Sequence, residues 1–218
     1  MKTVIFDLDG TILDTLEDLK NAVNHALNFY NCPEKDLEFV RKAIGNGTQV
    51  LMERCSGFSR DDKIYPKLFK GFKDYYLSHY DDCTRPYAKI KDLLEAIKGR
   101  CFIAVVSNKD NDITQKLINK EFPGLFDAIQ GSYFDKPKKP DPYLISKILE
   151  ENHLNKDDCL YIGDTNVDKE SADNVGIKYK LVSYGYRTKE ELEKMCPNDT
   201  PLSSVEELIN YLLKWVNL

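Results

Sequence analysis

The chain has 218 residues, of which 42% are hydrophobic and 31% charged, a composition typical of a globular protein with one core and a second small domain. Its net charge of −5, without a basic stripe, argues against a nucleic-acid partner, because phosphate backbones select strongly basic surfaces. No apolar run approaches the about 20 residues of a membrane span, and no apolar leader precedes the first predicted strand, so we expect a cytoplasmic protein without a membrane partner. The six cysteines and three histidines are dispersed, which argues against a disulfide framework or a structural zinc site.

The first predicted strand ends in two carboxylates. Residues 2–6 are mostly β-branched or aromatic and predict a buried strand. Asp7 and Asp9 follow it, and because side chains two apart in an extended chain point the same way, both can enter one small volume. Gly10 allows the backbone to bend sharply there. Two carboxylates this close repel each other unless a cation or a shared proton lies between them, although an isolated Asp-x-Asp is most often a solvated turn.

The next part of the chain is helical by pattern. Apolar residues recur at three- and four-residue spacing in four segments, and no intervening stretch is typical of a strand. The predicted helices cover approximately residues 15–30, 37–44, 50–54 and 63–80. We therefore expect an inserted all-helical cap domain at residues 15–83, and a core domain made of residues 1–14 and 84–218.

Strands and helices alternate through the rest of the chain. Continuous apolar runs predict buried strands at residues 101–106 and 159–162, with weaker strands at 126–130 and 180–183. Amphipathic segments between them predict helices, and a Ser-x-x-Glu capping-box pattern beginning at Ser204 opens the last one. This alternation predicts an α/β fold with a mostly parallel, Rossmann-like sheet.

Polar side chains follow three of the predicted strands where each strand ends. They are Asp7 and Asp9 after the first, Ser107 and Asn108 after the second, and Asp164 after a later one. Ligands of open α/β sheets bind beyond the carboxyl ends of the strands, so we expect these side chains to gather at one edge. The sequence therefore predicts a functional site there.

Four motifs in this order resemble those of the haloacid dehalogenase-like (HAD) hydrolase superfamily, in its branch with a type-one cap. They are Asp7-Leu8-Asp9-Gly10-Thr11, Ser107-Asn108-Lys109, Lys139-Pro140, and Gly163-Asp164 with Asp168 four residues further on. The resemblance extends over the whole chain. It implies a HAD core and a Mg2+-dependent phosphatase that hydrolyses a small phosphate monoester through an aspartyl-phosphate intermediate.

The resemblance also implies a role for each catalytic residue. Asp7 is expected to be the nucleophile, and Asp9 the general acid toward the leaving alkoxide and then the general base for the attacking water. Lys139 would neutralise developing charge, and Ser107 would donate a hydrogen bond to a phosphoryl oxygen.

A magnesium site is implied at the same edge. Asp7, the main-chain carbonyl of Asp9, and Asp164 would hold Mg2+, which prefers carboxylate and carbonyl oxygens and relieves the repulsion between a phosphate dianion and an anionic nucleophile. Asp168 would belong to this metal site by orienting its shell from behind. Gly10 would lie beside the bound substrate.

Several neighbouring residues leave alternatives open. Lys-Pro pairs at Lys136 and Lys139 could each supply the third motif, and we favour the second because a Pro-Asp-Pro sequence leads from it into a helix. Asn108 could line the phosphate site or cap the following helix. We expect Lys109 to be solvated and Asp110, which replaces a proline common in the family, to cap that helix.

Within the insert, residues 40–54 resemble the cap of phosphoglycolate phosphatases. This resemblance implies that the insert is a lid that excludes water and selects the substrate. Arg41 could then bind a substrate carboxylate, although a solvated surface arginine is the ordinary alternative. Asn46 lies between two glycines and could contact the substrate or simply belong to a helix-breaking loop. The leading candidate substrate is accordingly 2-phosphoglycolate.

Other activities are excluded or stay open. Asp9 argues against haloacid dehalogenation, and Leu19 stands where β-phosphoglucomutases usually carry a histidine. Pyrophosphate, nucleoside monophosphates and sugar phosphates stay open as substrates, and the chain is expected to be a monomer or a homodimer. A non-catalytic phospho-acceptor module is the alternative of a different class, but such modules are shorter and have no cap.

Overall fold

The computed structural model of the protein describes residues 1–217, which form two compact units. The first unit comprises Met1–Leu13 and the chain from Pro86 onward, and the second comprises Asp14–Arg85. The first contains a sheet flanked in sequence by helices, as the predicted α/β fold class requires, and the second is helical.

The elements follow one another in chain order within residues 1–217. The strands are β1 (Thr3–Phe6), β2 (Leu13–Asp14), β3 (Arg85–Pro86), β4 (Phe102–Asp110), β5 (Ala128–Ser132), β6 (Cys159–Gly163) and β7 (Lys178–Leu181). The α-helices are α1 (Leu16–Phe29), α2 (Leu37–Ala43), α3 (Thr48–Ser56), α4 (Tyr65–His79), α5 (Ile90–Ile97), α6 (Asn111–Glu121), α7 (Tyr143–Glu151), α8 (Asn166–Val175), α9 (Lys189–Met195) and α10 (Val205–Val216). Strands β2 and β3 pair with each other where the chain leaves and re-enters the first unit. None of these helices combines the length and the apolar character needed to span a membrane.

A five-stranded parallel sheet in the order β5-β4-β1-β6-β7 forms the centre of the α/β unit. Strand β1 is the middle strand, and all four of its residues are fully buried. A parallel strand covered on both faces has a continuous apolar sequence, which explains the run Val4-Ile5-Phe6. Side chains from β1, β4, β6, α7 and α8 pack into one apolar cluster that includes Ile5, Val106, Leu144, Ile148, Tyr161 and Val175.

The register places the carboxyl end of β1 beside the middle of β4 and near the carboxyl end of β6. Phe6 lies beside Val105 on one side and beside Ile162 on the other. The backbone N–H of Asp7 continues this ladder by donating to the carbonyl oxygen of Ile162 at 2.8 Å. The residues after Phe6, those after Val105 within β4, and those after Ile162 are therefore brought to the same edge of the sheet.

The structure corrects several predicted boundaries in this unit. Strand β4 continues to Asp110, beyond the predicted end at residue 106. Strands β5 and β7 are displaced by about two residues from their predicted positions, because both are short and mix polar with apolar residues, which weakens the strand pattern. Helix α9 has no counterpart among the predicted elements, although Thr188 and Glu191 form a capping box at its start.

The helical unit contains α1, α2, α3 and α4, close to the four predicted helices. Helix α1 packs against α4 and α2 through one apolar face. The buried carboxylate of Asp18 accepts hydrogen bonds from the backbone N–H groups of Cys83 and Thr84 and from the Thr84 hydroxyl, at 2.8 to 3.1 Å. These charge-assisted bonds fasten the last residues of the unit to its first helix.

Candidate active site

Three buried carboxylates meet beyond the carboxyl edge of the sheet. Asp7 follows β1, Asp164 follows β6, and Asp168 lies in the first turn of α8. One oxygen of each lies within 4.8 Å of the others, and the three residues are 8%, 0% and 1% exposed. The structure thus brings together three predicted site residues. Because buried carboxylates at this spacing repel one another, the group needs positive charge.

Lys139 supplies positive charge to this cluster. Its Nζ lies 2.8 Å from an oxygen of Asp7 and 2.8 Å from an oxygen of Asp168, and it donates to the Tyr161 hydroxyl at 2.9 Å. Burial disfavours the charged amine, but the charges of Asp168 and Asp7 outweigh this and hold the pKa of Lys139 well above its ordinary value. The Lys136 side chain is 47% exposed, so the lysine at the cluster is Lys139.

Asp168 is engaged in holding its neighbours. Its Oδ2 accepts from the N–H groups of Asp164 and Thr165 at 3.2 and 3.0 Å, and from the Thr165 hydroxyl at 2.7 Å. Its Oδ1 accepts from Lys139. A Cβ at Gly163 would come within 2.3 Å of the Asp168 side chain, so the strand end packs directly against it. This set of contacts favours the orienting role for Asp168 over direct metal ligation.

The electrostatics of the cluster fit a divalent cation. Burial raises the pKa of Asp7 to about 7, against the opposing charge of Lys139. Burial, together with the charges of Asp168 and Asp7, raises the pKa of Asp164 well above its ordinary value. The charged forms of these buried carboxylates are therefore unfavourable, and a bound cation would stabilise them. Carboxylate oxygens such as those of Asp7 and Asp164 are the hard donors that Mg2+ prefers, so the residues present fit a magnesium ion.

Asp9 is paired with a lysine that we expected to be solvated. Among residues 1–217, the acidic group that could hold a metal through side chains comprises Asp7, Asp164 and Asp168, without Asp9. The Oδ1 of Asp9 accepts from the Nζ of Lys109 at 2.8 Å, and the Lys109 side chain is 3% exposed. The prediction for Lys109 is therefore wrong, because the end of β4 lies beside the turn after β1, where Asp9 offers a carboxylate.

The Asn108 side chain forms two hydrogen bonds with the main chain of Lys139. Its Oδ1 accepts from the Lys139 N–H at 2.7 Å, and its Nδ2 donates to the Lys139 carbonyl at 2.9 Å. The buried Ser107 hydroxyl accepts from the Lys109 N–H at 3.1 Å. Helix α6 is capped by Asp110, whose carboxylate accepts a backbone N–H of the first turn. The capping alternative for Asn108 is therefore wrong, and the one for Asp110 is confirmed.

Two glycines permit the close approach of backbone to Asp164. Gly10 has a φ of 83°, and a Cβ there would lie 2.3 Å from the Asp164 carboxylate. A Cβ at Gly185 would lie 2.0 Å from the carbonyl oxygen of Gly10. The next residue, Tyr186, donates its N–H to Asp164 at 2.7 Å. The turn after β7 therefore fixes Asp164 and leaves no room for a side chain at either glycine.

Gly185→Ala is expected to lower the free energy of unfolding by about 1–3 kcal/mol, because the added methyl group forces the turn away from Gly10. Chemical denaturation measures the change. Gly71→Ala is the matched control: Gly71 lies inside α4, a Cβ there meets nothing within 4 Å, and alanine should stabilise this helix by about 0.5–1 kcal/mol. An unchanged unfolding free energy for Gly185→Ala would contradict the tight packing of Gly185 against Gly10.

The two predicted substrate-binding residues of the insert are engaged within the helical unit. Arg41 donates from Nε and Nη2 to the Glu38 carboxylate at 2.7 and 2.9 Å, and its side chain is 14% exposed. Asn46 accepts from the guanidinium of Arg54 at 3.0 Å. Arg41 is thus an ion-paired, largely buried residue instead of a fully solvated one, and substrate binding by both residues stays a prediction.

The segment after β7 also belongs to the site, although no residue of it was predicted to. The Tyr184 hydroxyl donates to the carbonyl oxygen of Thr11 at 3.0 Å, and the Thr11 hydroxyl donates to Asp164 at 3.4 Å. Arg187 is 7% exposed and places a further positive charge near Asp164. The available signal was the position of residues 184–187 just beyond a strand of the parallel sheet, where ligand sites form.

A parallel sheet with three buried carboxylates and a buried lysine at its carboxyl edge is the arrangement of an α/β enzyme. Residues 4–182 match the model of the haloacid dehalogenase-like hydrolase family. The chain therefore belongs to this family.

Individual relatives match nearly the whole chain. The phosphoglycolate phosphatase of Aquifex aeolicus (strain VF5) is 34% identical over 188 residues, which are 85% of this chain and 86% of that protein. The phosphoglycolate phosphatase of Aliivibrio fischeri (strain ATCC 700601 / ES114) is 29% identical over 221 residues, covering 98% and 95%. A crystal structure from Lactobacillus delbrueckii subsp. bulgaricus, provisionally named a phosphoglycolate phosphatase, has a TM-score of 0.88 at 29% identity and covers 97% of this chain and 99% of that one.

Proposed function

We propose that this chain is a Mg2+-dependent phosphatase that hydrolyses 2-phosphoglycolate through an aspartyl-phosphate on Asp7. The observation that carries the proposal is the contact of Asp7 with Lys139, beside Asp164, at the carboxyl edge of the sheet. A carboxylate nucleophile, a fixed cation and a further carboxylate for a metal are what phosphoryl transfer to an aspartate requires. The helical unit, Asp14–Arg85, is proposed to be the cap of this enzyme.

Asp7 carries the first half of the reaction. A carboxylate oxygen of Asp7 attacks phosphorus, and the ester P–O bond breaks as the bond to Asp7 forms. Lys139, 2.8 Å from this carboxylate, favours its charged, nucleophilic form and offsets negative charge on the transferring group. Mg2+ held by Asp7, Asp164 and the carbonyl of Asp9 would offset the repulsion between nucleophile and phosphate dianion. Asp168 keeps Lys139 and the Asp164 backbone in place.

Asp9 transfers a proton in each of the two half-reactions. Its carboxyl group gives a proton to the leaving alkoxide, and the resulting carboxylate then takes a proton from a water molecule whose oxygen attacks phosphorus. This second attack breaks the bond to Asp7, restores its carboxylate and releases inorganic phosphate. The Asp9 side chain is 17% exposed, which suits a group that must meet both substrate and water.

The remaining core residues are proposed to hold the phosphoryl group. The Ser107 hydroxyl donates to a phosphoryl oxygen, and the turn at Gly10 allows backbone to approach it closely. Asn108 acts through its two hydrogen bonds to the main chain of Lys139, which set the position of that amine.

The choice of substrate rests on the relatives and on the helical unit. The relatives from Aquifex aeolicus and Aliivibrio fischeri bear the name of phosphoglycolate phosphatase. Arg41 is the proposed contact for the substrate carboxylate, because a guanidinium binds a carboxylate through two parallel hydrogen bonds. Arg41 already binds the Glu38 carboxylate in this way, so the substrate carboxylate would take the place of Glu38. Asn46 is proposed to assist from the following loop.

Steady-state kinetics of the purified protein with Mg2+ test this function. The kcat/KM for 2-phosphoglycolate should exceed that for pyrophosphate, sugar phosphates and nucleoside monophosphates by about 10- to 100-fold, the range that one charged hydrogen-bonded contact supplies. Arg41→Ala should reduce this preference, whereas Lys42→Ala, at the exposed neighbouring position, should preserve it. A flat profile would reassign the substrate, and no turnover of any ester would refute the phosphatase.

A further inference from the structure

A partly buried ion pair joins the proposed acid–base carboxylate to the end of β4. The Nζ of Lys109 donates to the Oδ1 of Asp9 at 2.8 Å, although the two residues are 100 positions apart in sequence. The Lys109 side chain is 3% exposed and the Asp9 side chain is 17% exposed. We infer that Lys109 is a positioning residue that holds Asp9 in the orientation from which it exchanges protons with the leaving group and with water. This inference rests on the proposed function.

The main chain around Lys109 leaves the residue little freedom. Its N–H donates to the Ser107 hydroxyl at 3.1 Å, and the carbonyl of the next residue, Asp110, accepts from the Thr114 hydroxyl at 2.9 Å. Asp110 is also paired with Ser132 in the ladder between β4 and β5. A lysine side chain is long and has many rotamers. Because the main chain of Lys109 is fixed and its side chain is 3% exposed, most of these rotamers are excluded. The amine is therefore presented at a defined place.

The main chain of Asp9 is held as well. The Leu13 N–H donates to the carbonyl of Leu8 at 3.0 Å, and the Gly10 N–H donates to the carbonyl of Leu13 at 2.9 Å, which closes a tight turn around Asp9. What this turn leaves variable is the pair of side-chain torsions of Asp9, and the ion pair with Lys109 restricts them. A catalytic group displaced by about 1 Å loses about 100-fold in rate, so such a restriction has a large kinetic consequence.

Stability alone does not account for this ion pair. Moving an amine out of water costs several kcal/mol, and an apolar residue of similar volume often stabilises a buried site as well as an ion pair does. Methionine has nearly the length of lysine and needs no counter-charge. A purely structural Lys109 would therefore change the melting temperature and leave kcat of the folded enzyme unaltered, whereas a positioning residue would change kcat.

The test compares Lys109→Met and Lys109→Arg with Lys116→Met, an exposed control on α6. With Mg2+ and the alkyl phosphate that the wild type hydrolyses best, Lys109→Met should lower kcat by about 100-fold with little change in KM. The loss should be smaller for p-nitrophenyl phosphate, whose leaving group needs no proton. Lys109→Arg should restore part of kcat, and Lys116→Met should match the wild type. Thermal unfolding shows which variants are folded. If Lys109→Met does not fold, Lys109→Gln is used in its place.

A double-mutant cycle with Asp9→Asn makes the test specific. Lys109→Met should cause no further loss in the Asp9→Asn enzyme, since its effect passes through that carboxylate. A wild-type kcat for Lys109→Met, or a loss that adds fully to that of Asp9→Asn, overturns the role of Lys109 and leaves the proposed function standing. If the wild-type protein hydrolyses no phosphate ester, both the role of Lys109 and the proposed function are wrong.

Discussion

Asp7→Asn should abolish hydrolysis of phosphate esters while the chain stays folded. The amide cannot form the acyl phosphate, so kcat should fall by at least about 10^4-fold, as expected when a covalent nucleophile is lost. Steady-state kinetics with Mg2+ measure the loss, and circular dichroism with thermal unfolding reports the fold. Burial raises the pKa of Asp7 to about 7, so removal of its charge relieves the cost of burying that charge and should leave the melting temperature equal or higher.

Asp14→Asn is the matched control for this variant. Asp14 is exposed, and its Oδ1 accepts the backbone N–H of Leu16, a bond that asparagine retains. Its kcat should equal that of the wild type. Wild-type turnover by a folded Asp7→Asn protein would contradict the covalent mechanism.

Lys139→Met should destabilise the folded protein strongly. The variant leaves Asp7 and Asp168 buried without the amine that contacts both, and loss of one member of a buried charge group costs about 3–5 kcal/mol. Chemical denaturation measures the free energy of unfolding. Hydrolysis should also fall sharply in whatever fraction stays folded, because Asp7, the proposed nucleophile, loses its adjacent cation.

Lys136→Met separates this effect from the general loss of a lysine. Lys136 also precedes a proline, but its side chain is 47% exposed. The free energy of unfolding of the Lys136→Met protein should therefore differ from that of the wild type by less than about 0.5 kcal/mol. In an Asp7→Asn background, Lys139→Met should cost less than in the wild type, because one of the two stranded carboxylates is already neutral. A Lys139→Met protein as stable as the wild type would show that the amine does not compensate the carboxylates.

The acidic core of the site is predictable from sequence for a physical reason. Asp7 and Asp164 come at the ends of short apolar runs that are typical of buried strands, and parallel strands present their carboxyl ends at one edge. The position of Lys139 follows from the motif order. Lys109 is different, because whether a lysine after a strand is solvated depends on what packs beside it, and in this protein that partner is Asp9, 100 residues away.

The parts of the fold that escape prediction share a weak local signal. Strands β5 and β7 lie at the edges of the sheet, where mixed polarity is tolerated and the alternation that marks a strand is lost. Helix α9 is only seven residues long, too short for a clear apolar period, so its capping box at Thr188 was the better indicator. The close fit of Gly185 against Gly10 is a tertiary contact with no local pattern.

The place of β1 in the sheet governs the order in which the chain can assemble. Of the five strands of this sheet, β1 leaves the ribosome first, yet its neighbours are β4 and β6, which begin at Phe102 and Cys159. At about 5–20 residues per second, the segment that ends in Asp7 waits several seconds for a partner strand. The helical unit is complete at Arg85 and relies on contacts nearer in sequence, so it can fold during that interval. The carboxylate cluster at this edge of the sheet is consequently among the last features to form, since it needs β6 and the turn after β7.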